Sequence, residues 1–500
     1  MIPANLLSLI IFLPLLGGLV VLAFRRHPNP CRWISLGTAS MDLFLILSVY
    51  LLEIRVHPAG DWLIVEDTSW IETLGIRYSL GLDGISLLLI MLTSFLGIIV
   101  ILVSWTQVTS RVALFHFFLL SMQTGVLGVF LATDLFLFYL FWELQVVPMF
   151  FIIGIWGHEK RIHAAVKFVL FSITGSLLML AALIGIVVVH GSQTGHYSFS
   201  LFDLVGTSLS SNLENWFFAA FLLAFAVKTP LFPVHTWLPD AHTEAPTAGS
   251  VILAGLLLKT GTYAILRFAF PLFPSAAGVA VPVLMVLGLS GVFYASWIAL
   301  AQQDMKRLVA YSSIGHMGLI IVGVAAWNAM TLSGSVLQMI NHGLTTSALF
   351  ILVGMLDERV NSRQLSDYGG IWRKMPVFSG FFLLFGMSSL GLPGLNNFVG
   401  EILILLGTFK VQPAAAVIGF MGMVLVLIYV LRLIQDALFG EPRTDWNVRD
   451  ITAREALILV PFALLVILIG LYPHPFLDLV DGPVRNLVLE TGTAMNTGAM

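Results

Sequence analysis

Fourteen apolar stretches, most of them about twenty residues long, follow one another along this chain of 500 residues. Because the hydrocarbon core of a bilayer is roughly 30 Å thick, a helix needs about 20 apolar residues to cross it. With 58% hydrophobic and 10% charged residues, the composition lies outside that of soluble domains. The sequence therefore predicts an all-α polytopic membrane protein with about fourteen transmembrane helices. The stretches span residues 3–23, 33–52, 84–104, 112–132, 135–156, 166–189, 215–238, 245–270, 278–301, 307–326, 330–356, 377–409, 414–437 and 455–473.

The charge and cysteine content exclude several classes of function. A formal net charge of −3, without a long basic run, excludes a nucleic-acid-binding protein. Cys31 is the only cysteine, so the chain can hold neither an internal disulfide nor a four-cysteine iron–sulfur or zinc site. No glycine-rich phosphate loop or nucleophile arrangement is recognisable. If the chain serves a redox enzyme, we expect the redox centres in other chains.

The basic residues predict the orientation of the chain. They cluster in the connections that follow odd-numbered stretches, and Lys and Arg accumulate in cytoplasmic loops. We therefore expect the odd connections in the cytoplasm and both termini on the opposite face. The first stretch lacks a cleavage pattern and is expected to remain as a span. The clustered residues are Arg25, Arg26, Arg32, Lys160, Arg161, Lys167, Lys306, Arg307, Arg359, Arg363, Arg373, Lys374, Arg443, Arg449 and Arg454.

Four regions divide the chain. Residues 1–111 hold three stretches and an acidic segment, 51–82, whose short alternating apolar runs predict an extramembrane hairpin or loop. Residues 112–270 and 271–440 each hold five stretches, and 441–500 hold the last stretch and a short amphipathic tail. The acidic residues of the 51–82 segment are Glu53, Asp61, Glu66, Asp67 and Glu72.

Proline and glycine interrupt two of the stretches, at Lys228–Pro233 and at Leu390–Asn397. Proline removes a backbone donor and clashes with the preceding turn, so neither stretch can form a straight helix. Interrupted helices in corresponding positions of two halves are typical of inverted-repeat transporters with a site at the breaks. We expect two inverted five-helix repeats, spans 4–8 and 9–13, in which spans 7 and 12 are interrupted.

Four ionisable residues lie inside apolar stretches: Glu143, Lys228, Lys259 and Glu401. A charged side chain at the bilayer centre costs about 2.5–3.5 kcal/mol on insertion scales, so each must be paired, hydrated or functional. Lys228 immediately precedes the first interruption, and Glu401 follows the second in the corresponding stretch. For Glu143, a structural ion pair is the alternative to a functional role. Asp134, at a helix start, is expected to be a cap or interface residue.

Four histidines, His235, His242, His316 and His342, accompany these charges. Steps of seven residues lead from Lys228 to His235 and then to His242, which would place all three on one face of an unbroken helix. Histidine exchanges protons near neutral pH, and a desolvated lysine with a lowered pKa does so too. These residues predict a proton relay. The alternative for each histidine is a purely structural interhelical hydrogen bond.

Several long motifs resemble the antiporter-like subunits in the membrane arm of complex I, the NADH:quinone oxidoreductase, over nearly the whole chain. Sister types L and N of that family usually carry lysine at the position of Glu401, whereas a third type carries glutamate. The chloroplast homologues depart from the 245–250 motif, which favours a bacterial plasma membrane protein. The motifs are Phe141-Trp142-Glu143, Lys228 with Pro233, His235 and Trp237–His242, Ala245–Ser250, Lys306–Ser313 with His316–Gly318, and Gly400-Glu401.

The resemblance implies a proton-translocating subunit of that enzyme, bound to L-type and N-type neighbours in a hetero-oligomer. Electron transfer from NADH to quinone would occur elsewhere, with FMN and iron–sulfur clusters in other subunits and no cofactor or metal in this chain. It further implies that Glu143 pairs with Lys228, that Lys259 is the central proton carrier, and that Glu401 faces the exit. The histidines that would line the hydrated link are His235, His242, His316 and His342.

Two other functions stay open at this point. The chain could serve a multi-subunit cation/proton antiporter or a proton-pumping membrane hydrogenase with the same helices and different partners. Alternatively, it could be a non-pumping scaffold whose buried charges are helix-packing ion pairs. The titratable groups favour protons over metal cations as the transported species, because the sequence offers no oxygen-rich cage.

Overall fold

A computed structural model describes residues 5–53, 62–441 and 448–498, so Asp61 and Arg443 lie outside the described residues. Its first half is helical except for one β-hairpin. The elements are α1 (Leu6–Ala23), α2 (Pro28–Glu53), β1 (Ile64–Ile71), β2 (Ile76–Leu82), α3 (Gly84–Gln107), α4 (Val112–Leu131), α5 (Leu135–Leu144), α6 (Val146–Trp156), α7 (Arg161–Thr194), α8 (Leu201–Leu204), α9 (Ser211–Lys228), α10 (Trp237–Glu244), α11 (Thr247–Ile252), α12 (Leu258–Ala264) and α13 (Phe270–Leu272).

The second half is a bundle of longer helices. Over the described residues of both halves, twelve helices are long and apolar enough to cross a membrane. The remaining elements are α14 (Pro274–Ala301), α15 (Met305–Ala325), α16 (Ala329–Val360), α17 (Ile371–Lys374), α18 (Pro376–Ser389), α19 (Asn396–Val411), α20 (Pro413–Leu438), α21 (Ala453–Leu471) and α22 (His474–Gly498).

Both predicted interruptions are present. Helix α9 ends at Lys228 and α10 begins at Trp237, whereas α18 ends at Ser389 and α19 begins at Asn396. Gly391 and Gly394 adopt positive φ angles of 77° and 94° at the second break, a conformation that glycine takes without steric cost. The breaks therefore divide two apolar segments into half-helices.

The predicted extramembrane hairpin is an antiparallel pair, with Ile64 opposite Leu82 and Asp67 opposite Ser79. The all-α prediction is wrong here, because alternating side chains favour strand pairing over a helical turn. Leu80 of strand β2 pairs with Ala132 in an isolated antiparallel bridge, and Asp134 pairs with Ser200 in a second one. The hairpin thus joins the connections of even-numbered stretches.

Caps and packing fix the helix ends around these connections. Asp134 is the N-cap of α5 and accepts backbone hydrogen bonds from Phe136 at 2.9 Å and Leu137 at 3.0 Å, which confirms its predicted capping role. At the start of α1, the backbone N–H of Leu7 donates to Glu66 of the hairpin at 2.5 Å. The first helix therefore begins on the same face as the hairpin.

Two opposite faces of the bundle follow from these contacts. We call the face formed by residues 64–82, 132–134 and 199–200 the hairpin face. The odd connections meet at the other end, where the N–H of His158 donates to Glu244 and Asp304 bridges to Gln364. We call that end, formed by residues 157–160, 302–304 and 361–375, the basic face. The described part of the chain thus separates odd and even connections as predicted.

The C-terminal tail forms one helix. The short amphipathic segment expected after Tyr472 is α22, which runs for 25 residues. It packs against α3, α14 and α16 across the hairpin face. Gly84, at the start of α3, lies against the backbone of Leu479, where a β-carbon would not fit.

Candidate functional site

Lys259 lies at the centre of the bundle on a helix with two local distortions. Helix α12 is flanked by π-helical turns at Leu253–Leu257 and Ile265–Ala269. Such turns carry one extra residue and are frequent at functional sites. The Lys259 side chain is fully buried, donates to the carbonyl of Ala254, and lies 2.7 Å from Nδ1 of His342 on α16.

A buried line of titratable side chains continues from this contact. The rings of His342 and His316 have centroids 5.6 Å apart, and Nδ1 of His316 lies 3.4 Å from Oε1 of Glu401. The last approach has the distance of an ion pair but not the angles of a hydrogen bond. All four residues are at most 5% exposed. We call Lys259, His342, His316 and Glu401 the contact line.

Glu401 is held by polar side chains at the second break. It accepts a hydrogen bond from Nε2 of Gln338 at 3.3 Å. One turn away, Asn341 and Asn396 exchange side-chain to backbone hydrogen bonds of 2.7 and 3.2 Å, and Ser388 donates to Asn396 at 2.5 Å. These bonds satisfy backbone and amide groups that the broken helix would otherwise leave unpaired in an apolar environment.

The first break is different, because its lysine sits among aromatic rings. Lys228 is 1% exposed, and its Nζ lies 5.5 Å from the ring centroids of both Trp142 and Phe168. Within the described chain, Nζ has no hydrogen-bond partner and no carboxylate within ion-pair distance. Lys228 and Glu143 are therefore not in direct contact in this structure, and their pairing stays a prediction. Glu143 is nevertheless the acidic group whose charge acts on Lys228.

Gly261 lets the helix that carries Lys259 pass close to the first break. A β-carbon on Gly261 would lie 2.7 Å from the backbone nitrogen of Thr229 and 2.8 Å from the carbonyl of Phe225. Only glycine allows the helix carrying Lys259 to pass so close to the end of α9. The central lysine is thus packed between the two breaks.

The remaining two histidines occupy separate places. His242 is fully buried on α10, stacked on Phe350 at 4.6 Å, and among the described residues neither of its ring nitrogens has a hydrogen-bond partner. His235 lies in the break itself, against Phe232 and Tyr294. Lys228, His235 and His242 do not lie on one unbroken helix, because α9 ends at Lys228 and α10 begins at Trp237, as the prolines between them predict.

Several buried polar residues were missed by the sequence reasoning. Lys306, which the clustering of basic residues places in a connection between helices, is 3% exposed in the first turn of α15 and donates to the carbonyl of Ala245. Its signal was the helical spacing to Ser313 and His316, seven and ten residues on. Gln338 had a similar signal, four residues before His342.

Two more buried groups lie outside the contact line. Asp42 on α2 is fully buried and accepts hydrogen bonds from Ser94 at 2.5 Å and Gln123 at 2.7 Å. The sequence feature that points to Asp42 is the same one that points to Glu143: a carboxylate inside an apolar stretch. Arg267 and Asp83 form a buried ion pair near the hairpin face.

Metal ligands are sparse around these groups. Over residues 5–53, 62–441 and 448–498, no cluster of three or more His, Cys, Asp or Glu side chains could hold a metal ion. The arrangement can exchange protons: an amine, two imidazoles and a carboxylate follow one another along the contact line, and each can take up and release a proton.

Comparisons with known proteins place this geometry in context. The family described as "NADH:quinone oxidoreductase/Mrp antiporter, TM" matches residues 132–427. A relative from Pseudomonas aeruginosa, named NADH-quinone oxidoreductase subunit M, is 44% identical and aligns over 98% of this chain and 99% of its own. The relative of that name from Escherichia coli K12 is 41% identical over 96% of this chain and 97% of its own.

Solved structures share the fold. A chain of respiratory complex I from Thermus thermophilus with bound NADH superposes with a TM-score of 0.87 at 31% identity, covering 96% of this chain and 99% of that one. A chain of the Mrp complex from Dietzia sp. DQ12-45-1b has a TM-score of 0.87 at 19% identity, with 99% of both chains covered. The second likeness concerns the fold alone.

Proposed function

The chain belongs to the family of NADH:quinone oxidoreductase and Mrp antiporter membrane subunits, and on that premise we propose that it translocates protons as the M-type subunit of a bacterial NADH:quinone oxidoreductase. The relatives that align over nearly its whole length are named subunit M. Glu401 agrees with this assignment, because the L and N types usually carry lysine there. NADH oxidation and quinone reduction occur in other subunits, which hold FMN and the iron–sulfur clusters.

The contact line is the observation that supports proton transfer most directly. Lys259, His342, His316 and Glu401 connect the bundle centre to the second break without an intervening apolar side chain. A structural ion pair needs two opposite charges, whereas this line brings four titratable side chains together from four helices. Burial of four titratable groups in a membrane protein is costly, which favours a functional role for them.

Separation of the charges of Glu143 and Lys228 in the first half drives proton transfer along the contact line. When Glu143 is close to Lys228, its charge stabilises the ammonium, and in a medium of low dielectric a few ångströms of movement changes that interaction by several kcal/mol. Movement of Glu143 away from Lys228 releases a proton from Lys228 toward Lys259. The proton then passes along His342 and His316 to Glu401, which faces the exit.

The detailed architecture belongs to the same proposal. Twelve long helices together with the two broken segments, α9 with α10 and α18 with α19, support a count of fourteen spans. Spans 4–8 and 9–13, within residues 112–270 and 271–440, form the two inverted repeats. The clustered Lys and Arg residues support a cytoplasmic basic face, which leaves both termini in the periplasm.

Reconstitution of the complete enzyme tests the function. NADH-driven proton uptake into proteoliposomes is measured with the Lys259→Met variant, which keeps the length of the side chain but cannot titrate. We expect at least about a tenfold loss of uptake in fully assembled enzyme. The matched control is Lys410→Met, a change at an exposed lysine of α19. Wild-type uptake by the Lys259 variant would refute the relay.

Two alternatives are decided by separate observations. Subunits that copurify from native membranes distinguish an NADH:quinone oxidoreductase from a cation/proton antiporter or a membrane hydrogenase. A non-pumping scaffold predicts that Glu143→Gln and Lys259→Met leave both assembly and pumping intact. The high identity to the relatives named subunit M favours the first of these assemblies.

A further inference from the structure

A polar cavity opens at the basic face, close to the start of α15. Its volume is about 830 Å³, and charged side chains of both signs line it, including Glu244, Asp357, Arg307 and Arg363. Residues of the α6–α7 connection, α10, α15 and the end of α16 form its wall. We call this cavity the vestibule. It is large enough for many water molecules, because one water occupies about 30 Å³ of liquid.

Lys306 lies next to the vestibule but not on its wall. Its side chain is 3% exposed, and its ammonium donates to the carbonyl of Ala245, the residue that ends α10. The charges of three residues that line the vestibule, Arg363, Asp357 and Glu244, act on Lys306. Lys306 is therefore a buried amine within electrostatic reach of the solvent-facing carboxylates.

His242 links Lys306 to the centre of the bundle. It lies on α10, three residues before the carbonyl to which Lys306 donates. The charges of both Lys306 and Lys259 act on its ring. Since its ring nitrogens have no hydrogen-bond partners in the described ranges, the imidazole is free to accept and pass on a proton. Lys306, His242 and Lys259 thus form a second buried series, aimed at the basic face.

We infer that Lys306 is the proton-intake residue that connects the vestibule to the contact line. This inference rests on the proposed function. The Lys306 ammonium gives its proton to a ring nitrogen of neutral His242, leaving an amine and an imidazolium. The imidazolium passes that proton to the Lys259 amine, and a hydronium ion in the vestibule reprotonates Lys306. Each step breaks one N–H or O–H bond and forms one N–H bond.

Neighbouring cations are less suited to this role. Arg307 is ion-paired with Asp240 at 3.6 Å, and a guanidinium does not release its proton in proteins. His158 lines the vestibule, where partial desolvation lowers the pKa of its ring to about 4, with the charges of Lys306 and Arg363 acting in the same direction. His158 is therefore neutral at physiological pH.

Substitution of Lys306 tests the inference in complete enzyme reconstituted into proteoliposomes. Lys306→Arg keeps a cation that can donate to Ala245 but cannot release its proton, and Lys306→Met removes the charge. We expect both variants to lose at least about fivefold of NADH-driven proton uptake per assembled complex. If Lys306 only anchors α10, Lys306→Arg should pump like wild type, and that result would overturn the inference.

The Lys259→Met variant separates the two proposals. A loss of uptake in Lys259→Met with normal uptake in Lys306→Arg contradicts only the intake role. Normal uptake in Lys259→Met contradicts the proposed function itself. Should Lys306→Arg not assemble, Asp357→Asn supplies the second measurement: it removes a vestibule carboxylate near Lys306, and we expect uptake to fall about twofold to threefold. Unchanged uptake in that variant counts against the intake role.

Discussion

The two helix breaks of this protein hold their charges in different ways. At the second break, Glu401 is in contact with His316 and Gln338, and the line to Lys259 is continuous. At the first break, Lys228 is surrounded by the rings of Trp142 and Phe168, and its acidic neighbour acts on it only from a distance. The charged residues of the second break interact through direct contacts, whereas those of the first break interact only through their charges.

This difference indicates a division of labour. Side chains in contact can pass a proton with little rearrangement. Lys259 lies 2.7 Å from His342, and His316 lies 3.4 Å from Glu401. Charges that are not in contact can change their interaction through small movements, because the interaction is poorly screened in an apolar environment. The first break is therefore suited to respond to a movement of Glu143, and the contact line is suited to carry the proton.

The largest effect is expected from interruption of the contact line. His342→Leu removes the ring that contacts Lys259 and faces His316, so we expect NADH-driven proton uptake to fall at least about tenfold. His116→Leu is the matched control, because His116 is a buried histidine on α4 outside the line. Equal losses in the two variants would show that contact does not matter.

Shortening each carboxylate compares the two breaks directly. Glu401→Asp withdraws the carboxylate by about 1.5 Å, one C–C bond, from contacts of 3.3 and 3.4 Å. We expect roughly a threefold to fivefold loss of uptake, since both contacts break. Glu143→Asp has no direct cation contact to lose and should keep more than about half of the wild-type rate. A larger loss of uptake in Glu143→Asp than in Glu401→Asp would contradict the proposal that Glu401 acts by contact and Glu143 from a distance.

A smaller effect on stability is expected where the two regions meet. Gly261→Ala places a methyl group against Thr229 and Phe225, and overpacking of this kind costs about 1–3 kcal/mol. The thermal unfolding midpoint of the purified complex should fall. Gly380→Ala on α18 is the control, because a β-carbon there meets no atom within 4 Å. Similar midpoints for both variants would show that α12 can move away from the break.

The smallest effect concerns the aromatic surroundings of Lys228. Trp142→Leu removes a ring that stabilises the ammonium, and cation–π contacts contribute about 0.5–2 kcal/mol. We expect proton uptake to change about twofold, with partial restoration in Trp142→Phe. A loss as large as that of His342→Leu would mean that Trp142 takes part in the transfer.

The sequence predicted several of the charges that lie inside the bundle, but it missed Asp42 and Lys306 and did not show which charges meet. Lys228, Lys259 and Glu401 stand out because a single charge in an apolar stretch is costly, and proline and glycine mark the two breaks. The contact between Lys259 and His342 joins residues 83 positions apart. Periodicity within one helix contains no information about such pairing, which depends on how separate helices pack.

Lys306 shows a second limit of sequence reasoning. A Lys-Arg pair at the start of a helix is typical of a cytoplasmic loop, and Arg307 fits that description. Lys306 points inward only because α10 ends at Ala245, whose carbonyl accepts its hydrogen bond. Local composition could not distinguish the two side chains, whereas the tertiary position of α10 does.

The two π-helical turns around Lys259 also constrain how this gene can vary. Each turn contains one residue more than an α-helical turn, so it absorbs that residue locally and the helix keeps its orientation on either side. A deletion in the regular part of this helix has no such turn to absorb it and would rotate the preceding segment by about 100° relative to Lys259. Because α11 and α16 pack together, such a rotation would turn the lysine away from His342. We therefore expect loss of a single residue to be tolerated better within Leu253–Leu257 than in the α-helical turns beside it.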